Sequence, residues 1–263
     1  MKKIIRSIDK RTTLKIKNWL AFQKDKKQFA KLLAKNQQHN IAWRFSKNYP
    51  IMNEKNLTSG NAGGHYFHQD LLVARRIFQH KPKRHLDVGS QIEGFVAHVA
   101  SYRKISVMDI RPQKKPIPNV DFIQRDMMQP VKKNSISEKE KFDSLSCLHT
   151  LEHFGLGRYG DRIDPMGDKK GMINLIALLK KNGYLYFSVP IGKQRIMYNA
   201  HRIYAIAYLL DWFKDLKLRV IEFSYIDDDD NLYENQLLSE EKIANNYGVK
   251  NYGCAIFQLQ KTT

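Results

Sequence analysis

The sequence predicts an α/β protein: a doubly wound, mostly parallel sheet of seven strands, preceded by a basic helical N-terminal extension. Three observations predict it. From residue 66 onward, short apolar runs alternate with helical patterns, the order that builds a parallel sheet. The first run leads into a glycine turn, His85-Leu86-Asp87-Val88-Gly89-Ser90-Gln91-Ile92-Glu93-Gly94-Phe95. The second run closes on Asp109, 22 residues after Asp87. Strand, small-residue turn, helix, strand and acid is the arrangement by which such sheets hold the ribose and tail of a nucleoside cofactor.

The extension comes first along the chain. Of the formal net charge of +19, an excess of ten lies in residues 1–40, where twelve Lys/Arg face only Asp9 and Asp25. A basic end attracts anionic lipid, nucleic acid or an acidic polymer, although a solvated lysine-rich face gives the same composition. Over 12–38, Trp19, Leu20, Phe22, Phe29, Leu32 and Leu33 recur at helical spacing with lysines between them. That pattern suits a helix docked on the main domain or one lying on a membrane surface. Turn-forming residues fill 47–64, so the expected division is 1–64 for extension and linker and 65–263 for the main domain.

A helix is expected over 66–78. Strands follow at 85–89, 105–109, 120–123, 142–147 and 184–189, with helices at 94–102, 171–181 and 200–213. Two longer strands, 218–226 and 253–259, complete the sheet, with an antiparallel strand at its edge. Asn182-Gly183 is expected to end the helix over 171–181 in left-handed geometry, with Lys180-Lys181 at the negative end of its dipole. At 42% hydrophobic over 263 residues, the chain can bury a good core. Cys147 and Cys254 lie in apolar runs and read as buried thiols. No apolar segment follows the basic start, and the longest apolar run, 203–210, falls far short of the ~20 residues that span a bilayer. A cytoplasmic protein is expected, with the inner face of the membrane as a peripheral location for the basic helix.

The turn after the first strand departs from the three-glycine pattern that approaches a pyrophosphate. Only Gly89 and Gly94 are present, and Glu93 stands where a diphosphate would come. A carboxylate there repels a diphosphate and tolerates an ammonium and a sulfonium, which favours S-adenosylmethionine over a dinucleotide. Asp109 can accept both ribose hydroxyls, and Asp126, just past the third strand, is placed to meet an adenine amino group. After the fourth strand comes His149-Thr150-Leu151-Glu152-His153, which matches the H-x-x-E-H zinc-peptidase pattern. It begins at a strand end and not inside a long helix, so no metal is expected there. The preferred reading puts His149 on the cofactor and uses His153, or alternatively Glu152, as the base that removes a proton from the acceptor. The loop from Gly155 to Pro165 offers Arg158 and Arg162 for an anion and Asp161 and Asp164 for sugar hydroxyls. Arg195, His201 and Arg202 are expected on the same rim, and Tyr66 and His68 over the cofactor.

Taken in order, Leu86-Asp87-Val88-Gly89, Met108-Asp109, Arg125-Asp126, Phe142-Asp143 through Leu151-Glu152-His153, and Lys181-Asn182-Gly183-Tyr184-Leu185 resemble the strand motifs of class I S-adenosylmethionine-dependent methyltransferases. The resemblance covers roughly residues 66–260. More narrowly, His65-Tyr66-Phe67-His68-Gln69-Asp70, the stretch from Ser144 to Gly160, Ser188-Val189-Pro190-Ile191-Gly192 and Asn199-Ala200-His201-Arg202 look like an uncharacterised methyltransferase-like family of unknown function. The resemblance implies a Rossmann-like methyltransferase fold and S-adenosylmethionine as cofactor. The cofactor set is then Asp87, Gly89, Ser90, Gly94, Asp109, Asp126, Met127 and His149. The acceptor set is Tyr66, His68, Arg158, Tyr159, Asp161, Asp164, Arg195, His201 and Arg202. A sugar, glycan precursor or other small molecule is the expected acceptor, methylated on oxygen or nitrogen. The charge keeps an RNA methyltransferase as an alternative, although the Asn/Asp-Pro-Pro-aromatic motif and a thiol after proline are both lacking. Gln91, where the superfamily's second glycine stands, keeps a non-catalytic binding module as another.

Overall fold

The computed structural model describes residues 10–36, 43–55, 57–60, 62–131, 137 and 140–262. Lys2, Lys3, Arg6 and Asp9 of the basic start, and residues 37–38 of the expected first helix, lie outside the described residues. The chain divides into two compact units, residues 1–61 and 62–263.

In the first unit, helix α1 runs over Lys10–Asn36. Its aromatic residues find local partners: Trp19 stacks on Phe22 at 5.6 Å, and Phe29 meets Phe45 edge-on at 5.9 Å. Lys26 Nζ donates to Asn48 Oδ1 at 2.8 Å. Leu14, Leu20, Phe29 and Leu32 stay more than half exposed.

The second unit opens with α2 (His65–His80), then β1 (His85–Val88), a π-type turn over Ile92–Val96 and α3 (Ala97–Ala100). Strands β2 (Ile105–Asp109), β3 (Val120–Gln124) and β4 (Phe142–Leu148) follow, and a 3-10 turn at Leu151–His153. The chain continues through α4 (Gly167–Leu178), β5 (Leu179–Ile191), β6 (Arg195–Met197), β7 (His201–Ile203) and α5 (Ile206–Asp215). It ends with β8 (Leu218–Ile226), β9 (Leu232–Tyr233), α6 (Glu240–Ala244) and β10 (Gly253–Lys261). The main sheet has the order β3-β2-β1-β4-β5-β10-β8-β9. The first five of these strands pair in parallel, and β10, β8 and β9 pair antiparallel. The seven expected strands are all present, and β9 adds a two-residue edge strand.

The sheet is doubly wound because its strands are apolar on both faces. β4 and β5 bury Leu145, Cys147, Leu185 and Phe187 against α4 and α5 on one side. Leu148 and Tyr186 face Leu72, Ile77, Phe95 and Val99 of the α2–α3 side on the other. Continuous burial of this kind is why these runs read as apolar stretches and not as alternating ones.

Three expected elements differ. The helix expected over 94–102 is broken at Gly94 (φ −102°, ψ −112°), and regular α-helix is confined to Ala97–Ala100. The helix expected to reach 181 stops at Leu178, because Leu179 already pairs with Phe142; residues between it and Tyr184 bulge out around Asn182 at φ +62°. The helix expected from residue 200 begins at Ile206. Residues 201–203 are instead extended, pairing with 195–197, while Arg202 is drawn inward onto the carbonyls of Phe154, Glu152 and Pro165. Among the described residues no helix is long and apolar enough to cross a membrane.

Candidate active site

β1 lies between β2 and β4, so the winding of the sheet reverses at its carboxyl end, the place where open α/β sheets receive ligands. A pocket opens there, lined by Gly89, Asp109, Asp126, Met127, His149 and His153, among others. The turn after β1 is built by Asp87. Its fully buried carboxylate accepts from the Ser90 amide (3.1 Å), the Ser90 hydroxyl (2.8 Å) and the Ser146 hydroxyl (2.5 Å). Burial pushes this carboxyl up to about 7, against the pull of those hydrogen bonds. Asp87 therefore lies behind the turn and shapes it. Gly89 adopts φ +78°, and a Cβ there would meet Thr150 Cγ2 at 2.2 Å, so the turn and the strand end after β4 close on each other only at glycine. Gly94 likewise packs on Asp70, whose Oδ2 would lie 2.6 Å from an added Cβ.

Asp109 ends β2 at the cavity wall. Arg111 forks onto it, Nε to Oδ1 at 3.0 Å and a terminal nitrogen to Oδ2 at 2.7 Å, while its guanidinium lies 4.7 Å from the Tyr159 ring centre. Asp126 accepts from the Met128 amide (2.8 Å) and Gln129 Nε2 (3.2 Å), which orients it beside Met127 at the cavity. Asp109 Oδ1 also accepts from the Arg111 amide at 2.8 Å and is filled, while Asp109 Oδ2 and both Asp126 oxygens retain a lone pair for a ligand.

His149, Glu152 and His153 form a buried group after β4. His149 sits at φ +46°, and its Nδ1 lies 2.9 Å from Glu152 Oε1. Burial disfavours charge on His149, but Cys254 and Glu152 outweigh it and hold the imidazole up at about 10. Burial raises Glu152, yet the hydrogen bond and charge of His149 bring its carboxyl below the usual range. Glu152 is fully buried; it orients His149 through that hydrogen bond and lies 3.7 Å from Nε2 of His153. His153 Nδ1 donates to the Ala200 carbonyl at 2.6 Å, which leaves the lone pair on Nε2. Burial lowers the pKa of His153, against the opposing charge of Glu152.

In the following loop, Asp161 accepts from the amides of Gly155, Gly157 and Tyr159 and holds the loop's shape at the cavity rim. Asp164 accepts from the Met166 amide and Lys170 Nζ, and so anchors the start of α4. Arg158 donates to the Ala200 carbonyl and covers Tyr159. Tyr159 meets His153 edge-on at 5.4 Å. His201 lies 6.4 Å from the His153 ring. Tyr66 comes within 5.4 Å of the His149 ring and lines a neighbouring recess with Ser90. Burial pushes the Tyr66 phenol up to about 12. Arg202 is buried against backbone carbonyls and Arg195 donates to the carbonyls of Lys193 and Asn251, so both brace the rim. His68 is half-buried beside Phe67 and lines neither the cavity nor the recess. Sequence reading passed over Arg111 and Thr150. Arg111 carries a weak signal, a cation two residues beyond the acid that ends β2. Thr150 carries none until the turn folds onto it.

Many solved structures share this fold, among them two methyltransferases. The 1,6-didemethyltoxoflavin-N1-methyltransferase of Burkholderia thailandensis, determined with 1,6-didemethyltoxoflavin and S-adenosylhomocysteine, superposes with a TM-score of 0.50 at 12% identity, over 74% of this chain and 79% of that one. An S-adenosylmethionine-dependent methyltransferase from Clostridium acetobutylicum ATCC 824 gives 0.50 at 10% identity, over 77% and 94%. The fold is accordingly the Rossmann-like methyltransferase fold. No curated protein sequence matches the chain. Residues 104–243 match the family described as Caenorhabditis protein of unknown function, DUF268, and with more than half of its length covered the chain belongs to that family.

Proposed function

We propose that this protein is an S-adenosylmethionine-dependent O- or N-methyltransferase. One observation carries the reading: Asp109 and Asp126, from the ends of two adjacent strands, line a single cavity together with the Gly89 turn. That donor set fits a nucleoside with a cationic tail. Asp109 offers the remaining lone pair of Oδ2 to the ribose diol, Asp126 an acceptor to the adenine amine, and Gly89 a close backbone approach. When bound, the cofactor supplies a methyl group on a positively charged sulfur, which needs alignment more than activation. The chain's own work is to hold the acceptor in line and take its proton. His153 Nε2 is the proton acceptor, with the Ala200 carbonyl orienting the ring and the Glu152 carboxylate, 3.7 Å from Nε2, stabilising the imidazolium that forms. Arg158, Tyr159 and His201 form the acceptor side, and a hydroxyl-rich anionic acceptor, such as a sugar or glycan precursor, suits their chemistry.

Calorimetry with S-adenosylmethionine and S-adenosylhomocysteine tests the proposal. The expected result is binding by the wild type and a Kd raised about ten- to a hundredfold in Asp109→Ala, the loss of hydrogen bonds to a charged acceptor. Absence of wild-type binding, or an unchanged Kd in the variant, would overturn it. The basic helix α1, with exposed leucines among its lysines, supports a second element of the reading: contact with an anionic membrane surface.

A further inference from the structure

His65 at the start of α2, His149 after β4 and Cys254 at the start of β10 bring one nitrogen or sulfur each to within 4.8 Å of one another. None of these positions belongs to the H-x-x-E-H reading except His149, and that reading's second histidine, His153, points its Nδ1 to the Ala200 carbonyl instead. The edges of a tetrahedron with ordinary zinc–nitrogen and zinc–sulfur bonds are roughly 3.3–3.6 Å. Closure by about 1 Å therefore completes the geometry, and His65, only partly buried, is the residue free to make it.

A second observation points to a ligand at the same place. The His149 side chain is 7% exposed, its Nδ1 is engaged by Glu152, and its Nε2 is buried with no hydrogen-bond partner. A buried ring nitrogen without a partner costs free energy. A carboxylate behind the far nitrogen of a histidine is also the usual outer support of a metal ligand, because it holds the ring with the other nitrogen outward, where that nitrogen binds the ion as its proton leaves. Cys254 faces the same point: its sulfur lies beside His149, with long contacts of 3.6 Å to the Ala255 carbonyl and 3.9 Å to Gln69 Oε1. A recess lined by His65, Asp227, Asp228 and Asp230 opens onto this group and gives a cation an acidic approach.

We propose that His65, His149 and Cys254 bind a divalent metal ion, with Glu152 as the outer support of His149. Two imidazoles and a thiolate select zinc among the common ions, and three protein ligands leave the fourth position open. Binding releases the protons of the Cys254 thiol and of His149 Nε2 to solvent as the sulfur–metal and nitrogen–metal bonds form, so metal uptake releases protons and strengthens as pH rises. The site does not depend on the methyl-transfer reading.

The test uses the full chain without an affinity tag, stripped with chelator and then equilibrated with zinc or cobalt(II). The expected result is one zinc per chain by mass spectrometry of the metal, and a thiolate-to-cobalt charge-transfer band in the near ultraviolet. Cys254→Ser should abolish that band. His65→Ala, at a position that leaves the core intact, should weaken zinc binding at least about tenfold while the thermal melt of the metal-free protein stays in place. Substoichiometric zinc in the wild type, a cobalt spectrum without the thiolate band, or zinc affinity unchanged in His65→Ala would each overturn the proposal.

Discussion

His153 is the residue on which the proposed chemistry turns, and its environment makes the pH dependence specific. A base must be unprotonated to act. Burial holds the His153 pKa below the usual 6.5, so the ring is neutral through the physiological range. Turnover should therefore be flat above about pH 7 and fall only as acid carries the solution through the lowered pKa. His153→Ala should cut kcat by roughly a hundredfold or more while the cofactor Kd barely moves; a variant with full turnover would remove His153 as base. How far residues could be read from sequence follows from the same physics. That Asp109, Asp126, His149 and His153 would meet at one cavity was legible because strand carboxyl ends converge at the crevice of this fold. Asp87 and Arg202 were expected at ligands, yet both are turned into the protein, toward Ser90 and Ser146 and toward backbone carbonyls. Nothing local distinguishes a polar side chain that greets a ligand from one that satisfies a buried turn. The meeting of His65 and Cys254 is further out of reach, since it arises only when α2 and β10 come together across the sheet.

At the scale of elements, the parallel strands were legible because continuous apolar runs of four to seven residues between turn signals have few other solutions. The β6–β7 hairpin was not, since three-residue strands carry no period, and the apolar pattern of α5 extends backward into them. What pins the elements together is also local to a few buried polar groups. Arg76, 4% exposed, reaches from α2 to Ser224 Oγ at 3.2 Å, Glu222 at 2.8 Å and Asn235 Oδ1 at 2.9 Å, which ties the helix to β8 and the segment after it. Truncation would strand those partners and open a cavity. Arg76→Ala should cost about 3 kcal/mol, read as a fall of roughly 6–12 °C in Tm by calorimetry for a domain of this size. A loss within about 1 °C would show that α2 is held by its apolar face alone.

Across the whole molecule, the charge is divided in a way that the methyltransferase fold itself does not require. Helix α1 carries nine basic residues against the single acid Asp25, while the segment between β8 and β10 is acidic. An ordinary solvated helix needs neither that excess nor exposed leucines at its lysine-rich surface. A membrane-surface helix uses both: apolar side chains enter the interface, and each lysine near an anionic surface contributes about 1 kcal/mol. Lys24, Lys27 and Lys31 fall on one face of the helix and are exposed. Replacing all three with glutamine should weaken binding of the full chain to phosphatidylserine vesicles about a hundredfold, measured by co-sedimentation. The wild-type affinity should fall steeply with salt, because the attraction acts over a Debye length of about 8 Å at physiological ionic strength. Neutral phosphatidylcholine vesicles should bind neither protein. If the wild type ignores both vesicles but binds RNA with a steep salt dependence, the basic helix serves a nucleic-acid acceptor and the membrane reading fails.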